Sequence, residues 1–198
     1  MKEKQDTILL AAIDLFAEKG FAAATTSEIA KKAGVAEGTI YRYFSTKKDL
    51  LLAVPDYVRG LEISSRFLAD MEKACDESLE QFLRVIVRNR NAFAANNVKI
   101  LKVMLQETAY HPELFSRMRD LVLMPAVRNM TEAIRHFQAR GELPDRPVQA
   151  IVNLIFTSIF GFMFVRHVLN VDLNWGGENE TELLVQFVKN GLCAKGEE

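Results

Sequence analysis

The chain has 198 residues, of which 49% are hydrophobic and 26% are charged, and its formal net charge at pH 7 is -1. This composition predicts a folded protein with a full hydrophobic core and excludes a disordered or fibrous chain. The near-neutral charge excludes a protein that coats nucleic acid over its whole surface, because such binding depends on a high density of Lys and Arg.

The two cysteines, Cys75 and Cys193, are far apart and form no Cys-x-x-Cys or Cys/His cluster. Their positions predict neither a disulfide framework nor a zinc site, and we expect no metal and no cofactor. The N-terminal sequence has no long apolar region followed by a cleavage site. We therefore expect a cytoplasmic protein.

The first predicted helix runs from about Lys4 to Lys19 and ends at Gly20. Its apolar residues recur at helical spacing, which favours one buried face; they are Ile8, Leu9, Ala12, Ile13, Leu15 and Phe16. We expect this helix to brace the two helices that follow, making a three-helix unit.

Residues 25–50 read TTSEIAKKAGVAEGTIYRYFSTKKDL and predict two short helices joined by a tight turn. Thr25 and Glu28 have the spacing of a capping box, in which each side chain satisfies the other residue's backbone N–H. Gly34 ends the helix at little steric cost. A helix, a short turn and a second helix form the arrangement that presents the second helix to the major groove of DNA.

The second of these helices is predicted from Ala36 to about Phe44, with Ile40 and Phe44 pointing inward. Ala36 provides no side-chain cap, at a typical cost of ~1 kcal/mol. On the outer face, Arg42 can make a bidentate contact with guanine, and hydroxyl groups can reach phosphate or base edges. Five Lys or Arg against two Glu give residues 28–48 a net charge of +3.

This stretch resembles the TetR-type transcriptional regulators. The resemblance rests on Thr25-x-x-x-Ile29-Ala30, Ala33-Gly34-Val35, Gly38-Thr39-Ile40-Tyr41-x-Tyr43-Phe44 and Lys47-x-x-Leu50. It extends back through Ile8 to Phe21 and covers roughly the first quarter of the chain.

The resemblance implies which residues touch DNA. In such regulators the positions of Thr26, Gly38, Thr39, Tyr41, Tyr43 and Lys47 contact mostly phosphate, and those of Ser27, Glu37 and Arg42 help to read the sequence. With the N-cap residue Thr25, the candidate DNA-binding residues are Thr25, Thr26, Ser27, Glu37, Gly38, Thr39, Tyr41, Arg42, Tyr43 and Lys47.

The remainder of the chain is also predicted to be helical. At Pro55 the helix is expected either to kink or to restart, because a proline inside a helix removes a hydrogen bond, and we predict a kinked connector that runs to about Met71. Further helices are predicted at residues 78–95, at 98–109, at 112–139 with a kink at Pro125, at 148–165 and at 180–192.

Residues 148–165, which read VQAIVNLIFTSIFGFMFV, form the most apolar run of the chain. Its length also suits a membrane span. Four polar residues interrupt it, however, and a soluble helix that is apolar all round is one buried on several sides, so we expect no membrane partner. We predict that this helix and the last helix pack with those of a second subunit, giving a homodimer with recognition helices ~34 Å apart.

The larger domain is expected to have an interior rich in soft and aromatic side chains, which suit a small apolar ligand, although such residues are more often plain core. The candidate ligand-binding residues are Phe67, Met71, Phe93, Met104, Tyr110, Met118, Phe156, Phe160, Met163, Phe164 and His167. The resemblance implies an inducer whose binding releases DNA. A larger domain that serves dimerisation alone is the alternative.

The sequence thus predicts an all-α fold, with a helix-turn-helix DNA-binding domain at residues 1–47 and a helical ligand-binding and dimerisation domain at residues 48–198. The expected function is a homodimeric repressor that leaves a near-palindromic double-stranded DNA operator when a small apolar ligand binds. The alternative is a dimeric DNA-binding regulator or architectural protein without small-molecule control. An enzyme is not expected, since no metal-ligand or nucleophile spacing is present.

Overall fold

A computed structural model describes residues 2–62, 65–169 and 179–193. The helices in these ranges are α1 (Lys2–Lys19), α2 (Thr26–Ala33), α3 (Glu37–Tyr43), α4 (Lys47–Leu52), α5 (Val54–Glu62), α6 (Ser65–Glu77), α7 (Leu79–Asn96), α8 (Val98–Glu107), α9 (Pro112–Met118), α10 (Met124–Ala139), α11 (Val148–Met163) and α12 (Glu180–Cys193). The described residues contain no strand, which confirms the all-α prediction.

The chain divides into two compact units. Unit 1 comprises Met1–Glu62 and Asn97–Met124, and unit 2 comprises Ile63–Asn96 and Pro125–Glu198. Residues 97–124 thus belong to the same compact body as the helix-turn-helix segment. The predicted functional division between residues 47 and 48 concerns DNA and ligand binding and stays a prediction.

The core of unit 1 forms around α1. Ile8, Ala12 and Phe16 lie one helical turn apart and are fully buried, as the spacing predicts. Helices α2 and α8 pack against α1, and α2 adds the fully buried Ile29. This packing holds the short helices α2 and α3, which would be marginal alone.

At Pro55 the predicted kink is wrong and the alternative, a restart, is correct, because the chain begins a new helix there. Helix α4 ends at Leu52 and α5 begins at Val54, so that Pro55 is the second residue of α5. In the first turn of a helix the missing N–H of proline costs nothing, since that group has no partner within the helix. The predicted connector also extends over residues 63 and 64, which lie outside the described residues.

The helical run before Pro125 leaves α geometry earlier than predicted. A π-helical turn at Arg119–Leu123 separates α9 from α10, and Pro125 is the second residue of α10. Proline has no N–H to donate to the carbonyl of Leu121, four residues back, and a π-helical turn absorbs such a lost bond. The distortion therefore lies just before the proline rather than at it.

The core of unit 2 contains side chains of α6, α7, α10, α11 and α12. Phe82 on α7 and Phe137 on α10 are almost fully buried, and their ring centroids are 5.3 Å apart. One stretch, Val148–Val168, is long and apolar enough to cross a membrane by length and composition, with a mean hydropathy of 2.0. Only 22% of its most apolar window is buried within the chain, so that much of α11 presents apolar surface.

Candidate DNA-binding surface

Helix α2 begins with the predicted capping box. Thr25 Oγ1 accepts the Glu28 N–H at 3.2 Å, and Glu28 Oε2 accepts the Thr25 N–H at 3.0 Å. The ammonium of Lys19, 2.5 Å from Glu28 Oε1, and the two Thr25 donors lower the pKa of Glu28 to about 2. Gly34 ends the helix in the left-handed region at φ 66°, as predicted.

Helix α3 keeps the predicted division between a buried and an exposed face. Ile40 and Phe44 are buried, whereas Tyr41 is 51% exposed and Arg42 is exposed. Ala36, the N-cap residue, makes no side-chain cap, which confirms the missing cap. The backbone at the start of α3 is therefore held by packing and by neighbouring side chains.

Thr26 provides one such connection between the two helices. Its hydroxyl donates to Glu37 Oε1 at 2.6 Å and lies 3.2 Å from the hydroxyl of Tyr41. From the sequence, these three residues are predicted as separate contacts with DNA. The structure joins them in one hydrogen-bonded group at the surface.

An open groove of about 480 Å³ lies beside this group. Its lining consists of small and hydroxyl-bearing residues with one cation, namely Ala22, Ala24, Thr25, Thr26, Tyr41, Ser45, Thr46 and Lys47. Ser45 and Thr46 are absent from the sequence-based candidates. The signal that could have found Thr46 is the spacing Thr46-x-x-Asp49, since these residues form a second capping box, at the start of α4.

The side chain of Lys47, a predicted phosphate contact, is turned toward the backbone of the loop between α1 and α2. Its ammonium donates to the carbonyl oxygens of Phe21 and Ala24 at 2.8 Å each and to that of Ala22 at 3.2 Å. It also lies 4.5 Å from the centroid of the Phe21 ring. An ammonium has three N–H donors, so a direct phosphate contact would require it to give up one of these bonds. The contact of Lys47 with DNA stays a prediction.

The other cations of the segment differ in their availability. Lys32 pairs with Asp14 and Glu18, and Lys48 pairs with Glu113. The side chains of Lys31 and Arg42 are exposed and have no hydrogen bond or ion pair with the part of the chain that the structure describes. Arg42 is therefore the cation of α3 that is free to meet DNA.

The ten candidate DNA-binding residues lie within one continuous segment of unit 1. Six of them are exposed, namely Thr25, Ser27, Glu37, Gly38, Tyr41 and Arg42, and four are half-buried, namely Thr26, Thr39, Tyr43 and Lys47. Their contacts with DNA stay predictions.

The candidate ligand-binding residues are divided between the two units. Met104, Tyr110 and Met118 belong to unit 1, and the other eight belong to unit 2. The expected position in the interior is wrong for Tyr110, which is 80% exposed, and for Phe160, which is 53% exposed. Phe160 stacks on Phe164, with centroids 6.0 Å apart. Their roles in ligand binding stay predictions.

His167 is a titratable residue of unit 2 with a shifted pKa. His167 Nε2 lies 2.7 Å from Asn91 Oδ1, and burial lowers the pKa of this histidine. Within the described ranges, no group of three or more His, Cys, Asp or Glu side chains could hold a metal ion.

Residues 8–54 match the family described as "Bacterial regulatory proteins, tetR family". Over nearly the full length, the chain is 30% identical to the HTH-type transcriptional activator FasR of Mycolicibacterium smegmatis, covering 96% of this chain and 83% of FasR. Four regulators of Bacillus subtilis are 30% to 49% identical, but the chain spans only 20% to 63% of their lengths.

Solved structures share the fold. The fatty acid degradation regulator FadR from Bacillus halodurans is 25% identical, with 97% of both chains covered and a TM-score of 0.76. FadR from Bacillus subtilis, solved in complex with stearoyl-CoA, has a TM-score of 0.66, with 95% of this chain and 97% of that chain covered. At 22% identity the second likeness shows the fold alone.

Proposed function

The chain belongs to the TetR family of bacterial regulatory proteins, and we propose that it binds an operator as a homodimeric repressor and leaves it when a small apolar ligand binds. The observation that carries the proposal is the surface of α2 and α3. There the Thr26, Glu37 and Tyr41 group adjoins an open groove, and Arg42 is an exposed cation without a partner among the described residues.

Two kinds of contact support DNA binding at this surface. Thr46, which lines the groove, accepts the Asp49 N–H and keeps its own O–H for a phosphate oxygen, a contact that fixes the protein on the duplex without reading its sequence. The hydroxyls of Thr25 and Thr26 donate to Glu28 and Glu37, so each would have to give up that bond to reach a phosphate. Arg42 on the outer face of α3 suits the O6 and N7 acceptors of guanine, which only the major groove presents in this pattern.

Exposed apolar side chains on α11 and α12 support a dimer. Leu154 and Phe160 on α11 are 56% and 53% exposed, and Leu183 and Phe187 on α12 are 62% and 72% exposed. Large apolar patches on a soluble protein mark surfaces that are covered by a partner. Two copies that bury the same pair of helices form a closed, two-fold symmetric contact.

The proposed ligand is a long-chain fatty acyl compound. Two relatives of the same fold are named as FadR, one as a fatty acid degradation regulator and one in complex with stearoyl-CoA. In unit 2 the aromatic rings of Phe67 and Phe93 flank the guanidinium of Arg90, at 5.0 and 5.3 Å. Apolar surface beside a cation suits a molecule with an acyl chain and an anionic group.

Selection of bound duplexes from a random DNA pool at physiological salt tests the proposal. We expect an enriched inverted repeat, because a symmetric dimer places two α3 helices about one DNA turn (~34 Å) apart. Stearoyl-CoA added to the complex with the selected duplex should release the DNA, and free coenzyme A should not. An enriched inverted repeat that no acyl compound releases would favour a regulator without small-molecule control, and absence of enrichment would contradict the proposal.

A further inference from the structure

Glu107, the last residue of α8, is a buried carboxylate with an identified partner in the loop between α1 and α2. The residue is 8% exposed, and its Oε1 accepts the backbone N–H of Phe21 at 3.0 Å. The two residues are 86 positions apart in the sequence. A buried carboxylate is costly unless hydrogen bonds compensate it, so this contact determines where the chain near Phe21 lies.

The ring of Phe21 is also in contact with residues near Glu107. His111 meets it edge to face with centroids 5.0 Å apart, and His111 Nε2 lies 3.6 Å from Glu107 Oε2. Phe16 of α1 meets the ring at 5.2 Å. The end of α8 and the following turn therefore contact Phe21 through both its backbone and its side chain.

Lys47 contacts the same loop. Its ammonium can only donate hydrogen bonds, and it donates to the carbonyl oxygens of Phe21, Ala22 and Ala24. Within residues 20–24, a carboxylate thus accepts one backbone N–H and an ammonium donates to three backbone carbonyls. Both charges act on the peptide groups of a single loop, which leads directly to Thr25, the N-cap of α2.

The same loop borders the groove of the DNA-binding surface. Ala22, Ala24, Thr25 and Lys47 all line that groove. A change in the position of the loop would move the hydroxyl groups and the start of α4 together. Glu107 itself does not line the groove.

We propose that Glu107 is a positioning residue for operator binding. Through Phe21 it pre-orders the loop at residues 20–24, and with it Thr25 and Lys47 at the groove. Without the carboxylate the loop would have to become ordered when DNA binds. The free-energy cost of that ordering would make binding weaker. The inference rests on the proposed function, because it concerns binding of the DNA that the protein selects.

The test compares Glu107→Leu with Glu107→Gln. Leu is apolar and leaves the Phe21 N–H without an acceptor, whereas the Gln carbonyl can accept it. We expect Glu107→Leu to bind the duplex selected by the wild-type protein about tenfold to hundredfold more weakly, as for loss of one hydrogen bond to a charged group. Glu107→Gln should stay within about threefold of the wild type, on the same scale of energies.

Unit 2 provides a matched control. Glu142 Oε2 accepts the backbone N–H of Leu79 at 2.8 Å, which is the same kind of long-range bond outside the DNA-binding segment. Glu142→Leu should lower the melting temperature but leave operator affinity unchanged. Amide hydrogen exchange should accelerate at residues 20–26 in Glu107→Leu and not in Glu142→Leu.

The outcomes separate this inference from the proposed function. If the wild-type protein selects no duplex, the proposed function and the inference both fail. If it selects one and folded Glu107→Leu binds it like the wild type, or Glu142→Leu loses as much affinity, the inference alone is overturned. Should Glu107→Leu not fold, His111→Leu, which removes the contact with the Phe21 ring, must still weaken binding in the folded protein for the inference to stand.

Discussion

Thr26 and Glu37, eleven residues apart, are joined by a hydrogen bond of 2.6 Å from Thr26 Oγ1 to Glu37 Oε1. The bond connects the first turn of α2 to the first turn of α3, and the same Thr26 hydroxyl lies 3.2 Å from the hydroxyl of Tyr41. The proposed DNA-binding surface thus carries a fixed negative charge. Such a charge repels phosphate and can accept a hydrogen bond from a cytosine amino group.

Replacing Glu37 with Gln should therefore strengthen binding to DNA of unrelated sequence. The Gln carbonyl keeps the hydrogen bond from Thr26, and the repulsion from phosphate is removed. We expect the affinity for such DNA to rise roughly several-fold at low salt, as measured by fluorescence anisotropy, an order-of-magnitude estimate for one charge. Glu72→Gln, the same change at an exposed residue of unit 2, should have no effect. Equal affinities for wild type and Glu37→Gln would show that this carboxylate lies away from DNA.

Replacing Arg42 with Ala should relax the preference for one base pair in each half-site. A bidentate contact between Arg and guanine contributes about 1–3 kcal/mol of discrimination against other bases. Repeating the DNA selection with the variant measures the loss. Lys31→Ala removes another exposed cation and should weaken binding without changing the preferred sequence. An unchanged preference in Arg42→Ala would rule out base reading by that residue.

Replacing Lys47 with Ala should destabilise the protein as well as weaken DNA binding. The variant leaves three backbone carbonyls without their shared donor, and hydrogen bonds to charged groups contribute about 1.5–3 kcal/mol each. Lys48→Ala breaks only an exposed ion pair with Glu113 and should leave the melting temperature nearly unchanged. Thermal unfolding followed by circular dichroism measures the melting temperatures of Lys47→Ala and Lys48→Ala. Equal melting temperatures for the two variants would contradict the structural role of Lys47.

Glu28 should make stability depend on pH in acid. Its pKa in the folded protein is about 2, below the usual value of 4.5, so that ionised Glu28 favours the folded chain. This contribution is fully present above pH 4.5 and is lost as the pH falls toward 2. The difference in urea midpoint between the wild type and Glu28→Gln should therefore shrink over that window. A difference that stays constant down to pH 2 would mean that the pKa of Glu28 is not lowered.

Replacing Phe187 with Glu should disrupt the proposed dimer. The side chain is 72% exposed on α12 within one chain, and a buried charge at a subunit contact is costly. Sedimentation equilibrium should then give a monomer. Tyr110→Glu, at a residue of unit 1 that is 80% exposed, should leave the oligomeric state unchanged. A dimeric Phe187→Glu variant would place the contact elsewhere.

The features that sequence reasoning predicts correctly are local. The capping box at Thr25 and Glu28 and the end of α2 at Gly34 depend on residues within one or two helical turns. The buried positions of Ile40 and Phe44 follow from spacing on one short helix. Such features can be predicted because the residues that cause them are close together in the sequence.

The features that it misses depend on distant partners. Lys47 turns to the carbonyls of a loop more than 20 residues earlier, and Glu107 binds a backbone N–H that is 86 residues away. No spacing rule connects such residues, because tertiary packing decides which backbone groups they meet.

The measurement that tests the central claim most directly is amide hydrogen exchange of the protein with and without its selected duplex. If the surface of α2 and α3 binds DNA, exchange should slow at residues 25–27 and 36–47. Protection confined to residues 125–169, or no protection at saturating duplex, would contradict the assignment of DNA binding to this surface.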